Sequence, residues 1–198
     1  MKKKSKYYQP LRKLLKKPQF SAKQAEEIGV PRHILAYLCK KGILERISRG
    51  VYRSRSYEPK VDIAWEQLAI NSSTIPQGVI CLISALAYYD LTDEIPRENW
   101  IAVPHQLRAP KRKGVRIIRM RNIELGKREI MMGEYKVKIF DKERCIIDAF
   151  RYLSLEIAIK ALKAYLFDSK QHPSLTKLSK YAKILRVNIQ PYIITLTT

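Results

Sequence analysis

The segment from Phe20 to Arg53 is so densely punctuated that few folds accommodate it. Ser21-Ala22-Lys23-Gln24 has the S-x-x-Q form of a capping box, in which the serine hydroxyl accepts the amide of Gln24 and the glutamine side chain reaches back. Ala22, Ala25 and Ile28 mark a narrow apolar face whose alanines let a second helix approach closely. Gly29 ends this helix, because glycine reaches the left-handed conformation of a helix end without cost. Pro31 opens the next helix in the first-turn position that suits it. Leu35 and Leu38 point inward, with Ile34 or Cys39, and Gly42 closes the helix. The period then changes. Ile43–Ile47 and Val51–Arg53 read as short strands joined by Ser48-Arg49-Gly50, with glycine at the left-handed position of a three-residue hairpin. Upstream, Leu11, Leu14 and Leu15 fall at i, i+3 and i+4 among Arg12, Lys13, Lys16 and Lys17, which predicts a short amphipathic helix stopped by Pro18.

Three helices followed by a basic hairpin is the order of a winged helix-turn-helix. Such a unit places the amino-terminal half of its third helix in the major groove of DNA. Arg32, His33, Ala36, Tyr37, Lys40 and Lys41 are left on the outer side of that helix, and five of the six can donate hydrogen bonds. Arg and Lys pair with guanine edges, whereas hairpin arginines suit the phosphate backbone or the adjacent minor groove. The DNA-contact candidates are therefore Ser21, Lys23, Arg32, His33, Ala36, Tyr37, Lys40, Lys41, Arg46, Ser48, Arg49 and Arg53.

Charge points the same way. The 198 residues carry a net charge of +21, and residues 1–60 alone hold 17 Lys and Arg against four acids. An excess of this size implies a polyanionic partner, nucleic acid or an anionic surface. With 46% hydrophobic residues the chain still has enough apolar content for a core. Met1-Lys2-Lys3-Lys4 has the charge of a signal-peptide start but no apolar run behind it. The longest apolar stretch, Val79–Tyr89, is too short to span a bilayer. A cytoplasmic protein without a membrane partner is expected. Cys39, Cys81 and Cys145 lie far apart, which suits buried thiols better than a disulfide framework or zinc site.

Ser54–Lys60 reads as a linker, dividing a 1–55 DNA-binding domain from a 56–198 domain. In the latter, Val61–Leu68 and Val79–Tyr89 predict helices, Asn99–Val103 and Gly114–Met120 strands, and Glu129–Met132 and Tyr135–Phe140 a hairpin about Gly133-Glu134. Asp141 is set to cap a helix through Phe150, with helices over Leu155–Phe167 and from Leu175 to Leu185 behind it. The expected class is α+β with two domains: the winged helix-turn-helix and a mixed α/β carboxy-terminal domain. A second basic patch, Arg108, Lys111, Arg112, Lys113, Arg116, Arg119 and Arg121, contains no acid. It is read two ways: as a phosphate contact, or as a solvated edge strand protected by its charges.

Catalytic constellations are absent from the sequence. There is no phosphate-binding glycine loop, no G-x-S-x-G, and no H-x-x-x-H among His33, His105 and His172. Asp90, Asp93 and Glu94 read as a turn and helix end rather than a metal site. Asp141, Glu143 and Asp148 read as caps and partners of Arg144 or Arg151. No catalytic residue, metal or cofactor is expected, and the chain is not expected to be an enzyme.

Phe20–Arg53, FSAKQAEEIGVPRHILAYLCKKGILERISRGVYR, resembles the winged helix-turn-helix of AbiEi-type antitoxins, from type IV toxin–antitoxin systems of abortive phage infection. Ile83–Pro104 is similar to that family's S-A-L…L-T…P segment, and Ile139–Phe150 to its D-x-E-R-x-x-x-D-A-F segment. The resemblance implies a transcriptional autorepressor that binds inverted repeats in its own promoter and counteracts a nucleotidyltransferase toxin without a stable complex. It implies two molecules on the double-stranded operator, each able to be a monomer in solution. The carboxy-terminal domain would carry the antitoxin activity. The residues alone leave open an RNA-binding or nucleic-acid-processing protein guided by the winged helix.

Overall fold

The computed structural model describes residues 6–108 and 111–197. Met1–Lys4, read above as a charged start, and Ala109-Pro110, between Arg108 and Lys111 of the second basic patch, lie outside the described residues. The chain divides into two compact units, residues 1–70 with 131–135, and 71–130 with 136–198. The class is α+β, as expected. No helix among the described residues is long and apolar enough to cross a membrane.

The first unit begins with α1 (Tyr8–Leu11), β1 (Phe20–Ser21), α2 (Ala22–Glu27), α3 (Arg32–Lys40), β2 (Leu44–Ser48) and β3 (Val51–Ser54). The expected first helix is only one α-helical turn, and Leu14 reaches the core from the irregular turns that follow. Four cations crowded into residues 12–17 repel one another, and Pro18 caps the length available, so propagation gains little. At the start of α2 the capping box is complete: Gln24 N donates to Ser21 Oγ at 3.1 Å and Ser21 N donates to Gln24 Oε1 at 2.8 Å. Pro31 is the N-cap of α3 rather than its first residue, with extended ψ of 154°.

The strands form an antiparallel sheet in the order β1-β3-β2. β1 was not anticipated. It pairs Phe20 with Tyr52 and Ser21 with Val51, which draws the far end of the hairpin against the start of α2. Ala22 N then donates to Gly50 O at 2.8 Å. Ser48 is opposite Val51, so the connection is the two residues Arg49-Gly50, and the extra length is absorbed by a bulge between Arg46 and Ser48. Gly50 has φ of +76°, the left-handed value the hairpin needs. Leu11, Phe20, Ala25, Leu35, Leu38 and Leu44 are buried together beneath this sheet and its helices.

The chain continues through α4 (Ile63–Thr74), β4 (Val79–Ile80), α5 (Leu82–Tyr88), β5 (Asn99–Pro104), β6 (Val115–Met120), β7 (Lys127–Met132), β8 (Tyr135–Phe140), α6 (Lys142–Tyr152), α7 (Leu155–Phe167), α8 (Leu175–Leu185) and α9 (Gln190–Thr197). The strands β4–β8 form one sheet in the order β6-β5-β4-β8-β7. Val79 and Ile80 belong to its centre, so the expected helix over 79–89 starts only at Leu82. A continuous apolar run buried on both faces does not reveal whether it is strand or helix. β4 pairs antiparallel with β5 and parallel with β8, while β6 runs parallel to β5 at an edge.

Asp141 caps α6 as expected, accepting from Arg144 N at 2.9 Å. Asp148 pairs with both Arg144 and Arg151 at 2.7 Å. Glu143 departs from the expectation. It accepts from Tyr165 Oη at 2.8 Å and from Lys177 Nζ at 2.9 Å, on the two following helices. Cys81 and Cys145 are buried, and burial pushes both thiols well above their ordinary pKa.

Candidate nucleic-acid interface

The first unit presents a cationic face because a short apolar stripe takes the inward positions of α3. On α3, Leu35 and Leu38 are buried, one turn apart. Helical geometry then turns Arg32, His33, Ala36, Tyr37, Lys40 and Lys41 outward, and all six are exposed. Tyr37 is 51% exposed, a high value for an aromatic side chain. Lys41 Nζ lies 5.7 Å from its ring centroid, so a cation and a flat stacking surface sit side by side at the end of the helix.

The hairpin adds a second group. Arg46 and Arg49 are exposed, and Arg46 Nε donates to Ser48 O at 3.3 Å across the bulge. Because β1 draws the turn against α2, these arginines gather with Ser21, Lys23, Arg32 and Tyr52 around a hollow of about 480 Å³. Four cations line it, and no acid does. Like charges brought together in this way favour an anion beside Lys23, Arg46 and Arg49, while Arg32 is paired with Glu26. Ser21 is half-buried, its Oγ engaged as the cap of α2.

Arg53 does not join this face. Its guanidinium turns inward, with a side chain only 17% exposed, and lies 2.6 Å from Glu45 Oε1. It also pairs with Glu66 and donates to Tyr135 Oη at 3.3 Å. Burial alone would lower its pKa, but hydrogen bonds to Glu45, Glu66 and Tyr135 raise it above the ordinary value. Of the three hairpin arginines expected as DNA contacts, Arg46 and Arg49 stand exposed and Arg53 does not. Glu45 shares the hairpin and was visible in sequence. Glu66 and Tyr135 lie 13 and 82 residues away, and nothing in local spacing announces them.

The second basic stretch is also dispersed by its geometry. β6 is an edge strand, and neighbouring side chains on a strand point to opposite faces. Arg116 therefore faces away from Arg119. Arg116 stacks on Trp100 of β5, with 4.3 Å between guanidinium carbon and ring centroid. Arg112 is half-buried and donates to both Oγ1 and O of Thr74, at 2.5 and 3.1 Å. Burial lowers its pKa. Arg108, Lys111, Lys113, Arg116, Arg119 and Arg121 are exposed. No group of three or more His, Cys, Asp and Glu side chains that could hold a metal occurs among the described residues.

Comparison with known proteins bears on the first unit most directly. Residues 9–55 match the family described as transcriptional regulator, AbiEi antitoxin, which bears out the resemblance read from Phe20–Arg53. The matched segment runs from α1 to just past β3, and so includes the whole cationic face. No curated protein matches the chain. Among solved structures it is similar to the RV2827C protein from Mycobacterium tuberculosis, with a TM-score of 0.56 at 14% identity. The likeness covers 83% of this chain and 66% of that one, so the chain spans just under two thirds of that protein's length. At this identity the likeness concerns the fold.

Proposed function

We propose, from the AbiEi-type segment at residues 9–55, that the chain is a DNA-binding autorepressor that also acts as an antitoxin. In this reading the first 55 residues form a winged helix-turn-helix, with α3 as the groove-entering helix and β2–β3 as the wing. The remainder forms a domain for antitoxin activity. The carrying observation is a cationic face on which five exposed α3 residues and Lys41 at the helix end join, through Arg32, a hollow lined also by Lys23, Arg46 and Arg49. Arg32, His33, Tyr37 and Lys40 reach base edges. Lys23, Lys41, Arg46 and Arg49, with the Ser21 and Ser48 hydroxyls, hold the backbone. Ala36 gives the small apolar contact that suits a thymine methyl.

Two copies occupy inverted half-sites in the promoter of the chain's own operon, and a nucleotidyltransferase toxin is counteracted without a stable complex. The loop bearing Lys111 and Lys113, with Arg116, adds a second backbone contact. Footprinting on the DNA upstream of the chain's own reading frame tests the reading. Two protected half-sites separated by about 10–10.5 bp or a multiple are expected. Protection of one half-site at saturation would reject the paired arrangement. Equal affinity for transfer RNA and operator DNA at physiological salt would favour an RNA-binding protein instead. Unchanged affinity on neutralising Lys111, Lys113 and Arg116 together would reject the second contact.

A further inference from the structure

Glu26 is the acid that the cationic face holds in an ion pair with one of its own arginines. Its carboxylate lies 2.7 Å from Arg32 Nε through Oε1, and accepts from Arg32 Nη2 at 3.3 Å through Oε2. This is a side-on pair, using one edge of the planar guanidinium. The pair is exposed, with Arg32 72% and Glu26 40% accessible, so burial does not explain the contact. Arg32 begins α3, and Glu26 stands near the end of α2, six positions earlier.

We infer that Glu26 is a specificity-determining residue, which orients Arg32 to read guanine rather than to bind phosphate. The inference rests on the DNA-binding reading above. Arginine carries five N–H donors in a rigid fork. With the Nε edge engaged by Glu26, the remaining edge offers one N–H from each terminal nitrogen, parallel and pointing away from the carboxylate. Two parallel donors match O6 and N7 of guanine. The same fork also fits a phosphate, and here charge decides. A carboxylate 2.7 Å from the guanidinium neutralises much of the attraction for an anion. It repels a phosphate directly, but guanine presents neutral acceptors. The neighbouring cations of the hollow, Lys23, Arg46 and Arg49, have no such partner among the described ion pairs, and so remain suited to the backbone. Fixing the fork also removes rotamer freedom before DNA arrives, so less is lost on binding.

The test is selection of duplexes from a random-sequence library by the full chain, comparing wild type with Glu26→Ala, Glu26→Gln and Arg32→Ala. The wild type should select guanine at one position of each half-site, with roughly 5- to 100-fold discrimination over other bases. Arg32→Ala should abolish that preference and leave the others. Glu26→Ala should reduce the same preference to under about threefold, while affinity for random duplex rises because a negative charge has left the face. Glu26→Gln keeps an acceptor for Arg32 Nε, so it should retain more of the guanine preference than Glu26→Ala. Thermal midpoints should stay alike, since exposed ion pairs contribute little to stability. Full guanine preference in Glu26→Ala, together with its loss in Arg32→Ala, overturns the role of Glu26 and leaves the DNA reading intact. No enriched sequence with any protein overturns both.

Discussion

Arg144 Nε donates to Asp148 Oδ2 at 2.7 Å, and each side chain is only 1% exposed. The same guanidinium donates to the carbonyls of Asn122 and Leu125 at 2.7 and 2.8 Å, and lies 4.5 Å from the Phe140 ring centroid. One arginine thus ties α6 to the loop between β6 and β7. Removing one partner of a buried pair leaves an uncompensated charge, which costs about 3–5 kcal/mol. Arg144→Met leaves Asp148 with Arg151 alone and takes a donor from the Asn122 and Leu125 carbonyls, so it should destabilise the second unit by about 3 kcal/mol in urea unfolding. A change under about 1 kcal/mol would mean that the pair is solvated in solution.

Gly126 packs directly against this arginine. It has φ of +74°, and a Cβ placed there would lie 2.7 Å from Arg144 Cβ and 2.9 Å from Asp141 Oδ1. Gly126→Ala combines left-handed strain of roughly 1–2 kcal/mol with overpacking of about 1–3 kcal/mol. Gly114→Ala, at φ +71° with open space around it, carries the strain alone. The first variant should lose about 2–5 kcal/mol and the second about 1–2 kcal/mol, measured by the same unfolding assay. Equal losses would remove the clash from the account.

Acid should weaken the α6–α8 region. Burial alone would raise the pKa of Glu143, but hydrogen bonds from Lys177 and Tyr165 outweigh it and hold the carboxyl below its ordinary value of 4.5. A carboxyl depressed on folding contributes stability above its unfolded pKa, and that contribution is lost as pH falls through the folded one. Thermal midpoints should therefore fall below about pH 4.5, and Glu143→Gln should flatten that acid limb. An acid limb of the same steepness in Glu143→Gln would assign it to other carboxylates.

The two kinds of hairpin arginine should separate cleanly. Arg53→Ala removes the partner of Glu45 and Glu66, and should lower stability by about 1–3 kcal/mol while leaving the DNA affinity of the folded protein within about twofold. Arg49→Ala should do the reverse, weakening all duplexes alike with no shift in the thermal midpoint. A large affinity loss for Arg53→Ala at unchanged stability would return that residue to the interface.

What the sequence made legible was what depends on neighbours. The Ser21–Gln24 box, the left-handed glycines at 29, 42 and 50, and the Asp141 cap all act over three or four residues, and all stand in the structure. The outward set of α3 followed from the spacing of Leu35 and Leu38. The rest depended on distant partners. β1 and β4 are two residues each, and exist because another strand lies alongside. α9, over Gln190–Thr197, has no buried residue and rests on contacts such as Tyr192 with Phe150, at 5.0 Å between centroids, so its own pattern was weak. The place of Arg53 on a basic hairpin suggests an outward side chain, and Glu66 and Tyr135 turn it inward.

Salt-dependent binding of the full chain to a duplex from upstream of its own reading frame tests the central claim most directly, wild type against Lys23→Ala/Lys41→Ala/Arg49→Ala. The logarithm of the wild-type association constant should fall linearly with the logarithm of salt concentration, by about 0.9 for each phosphate neutralised. The triple variant should bind at least about tenfold more weakly, with a slope shallower by roughly 2 to 3. Identical affinity and slope for the two proteins would show that DNA, if bound at all, is held by another surface.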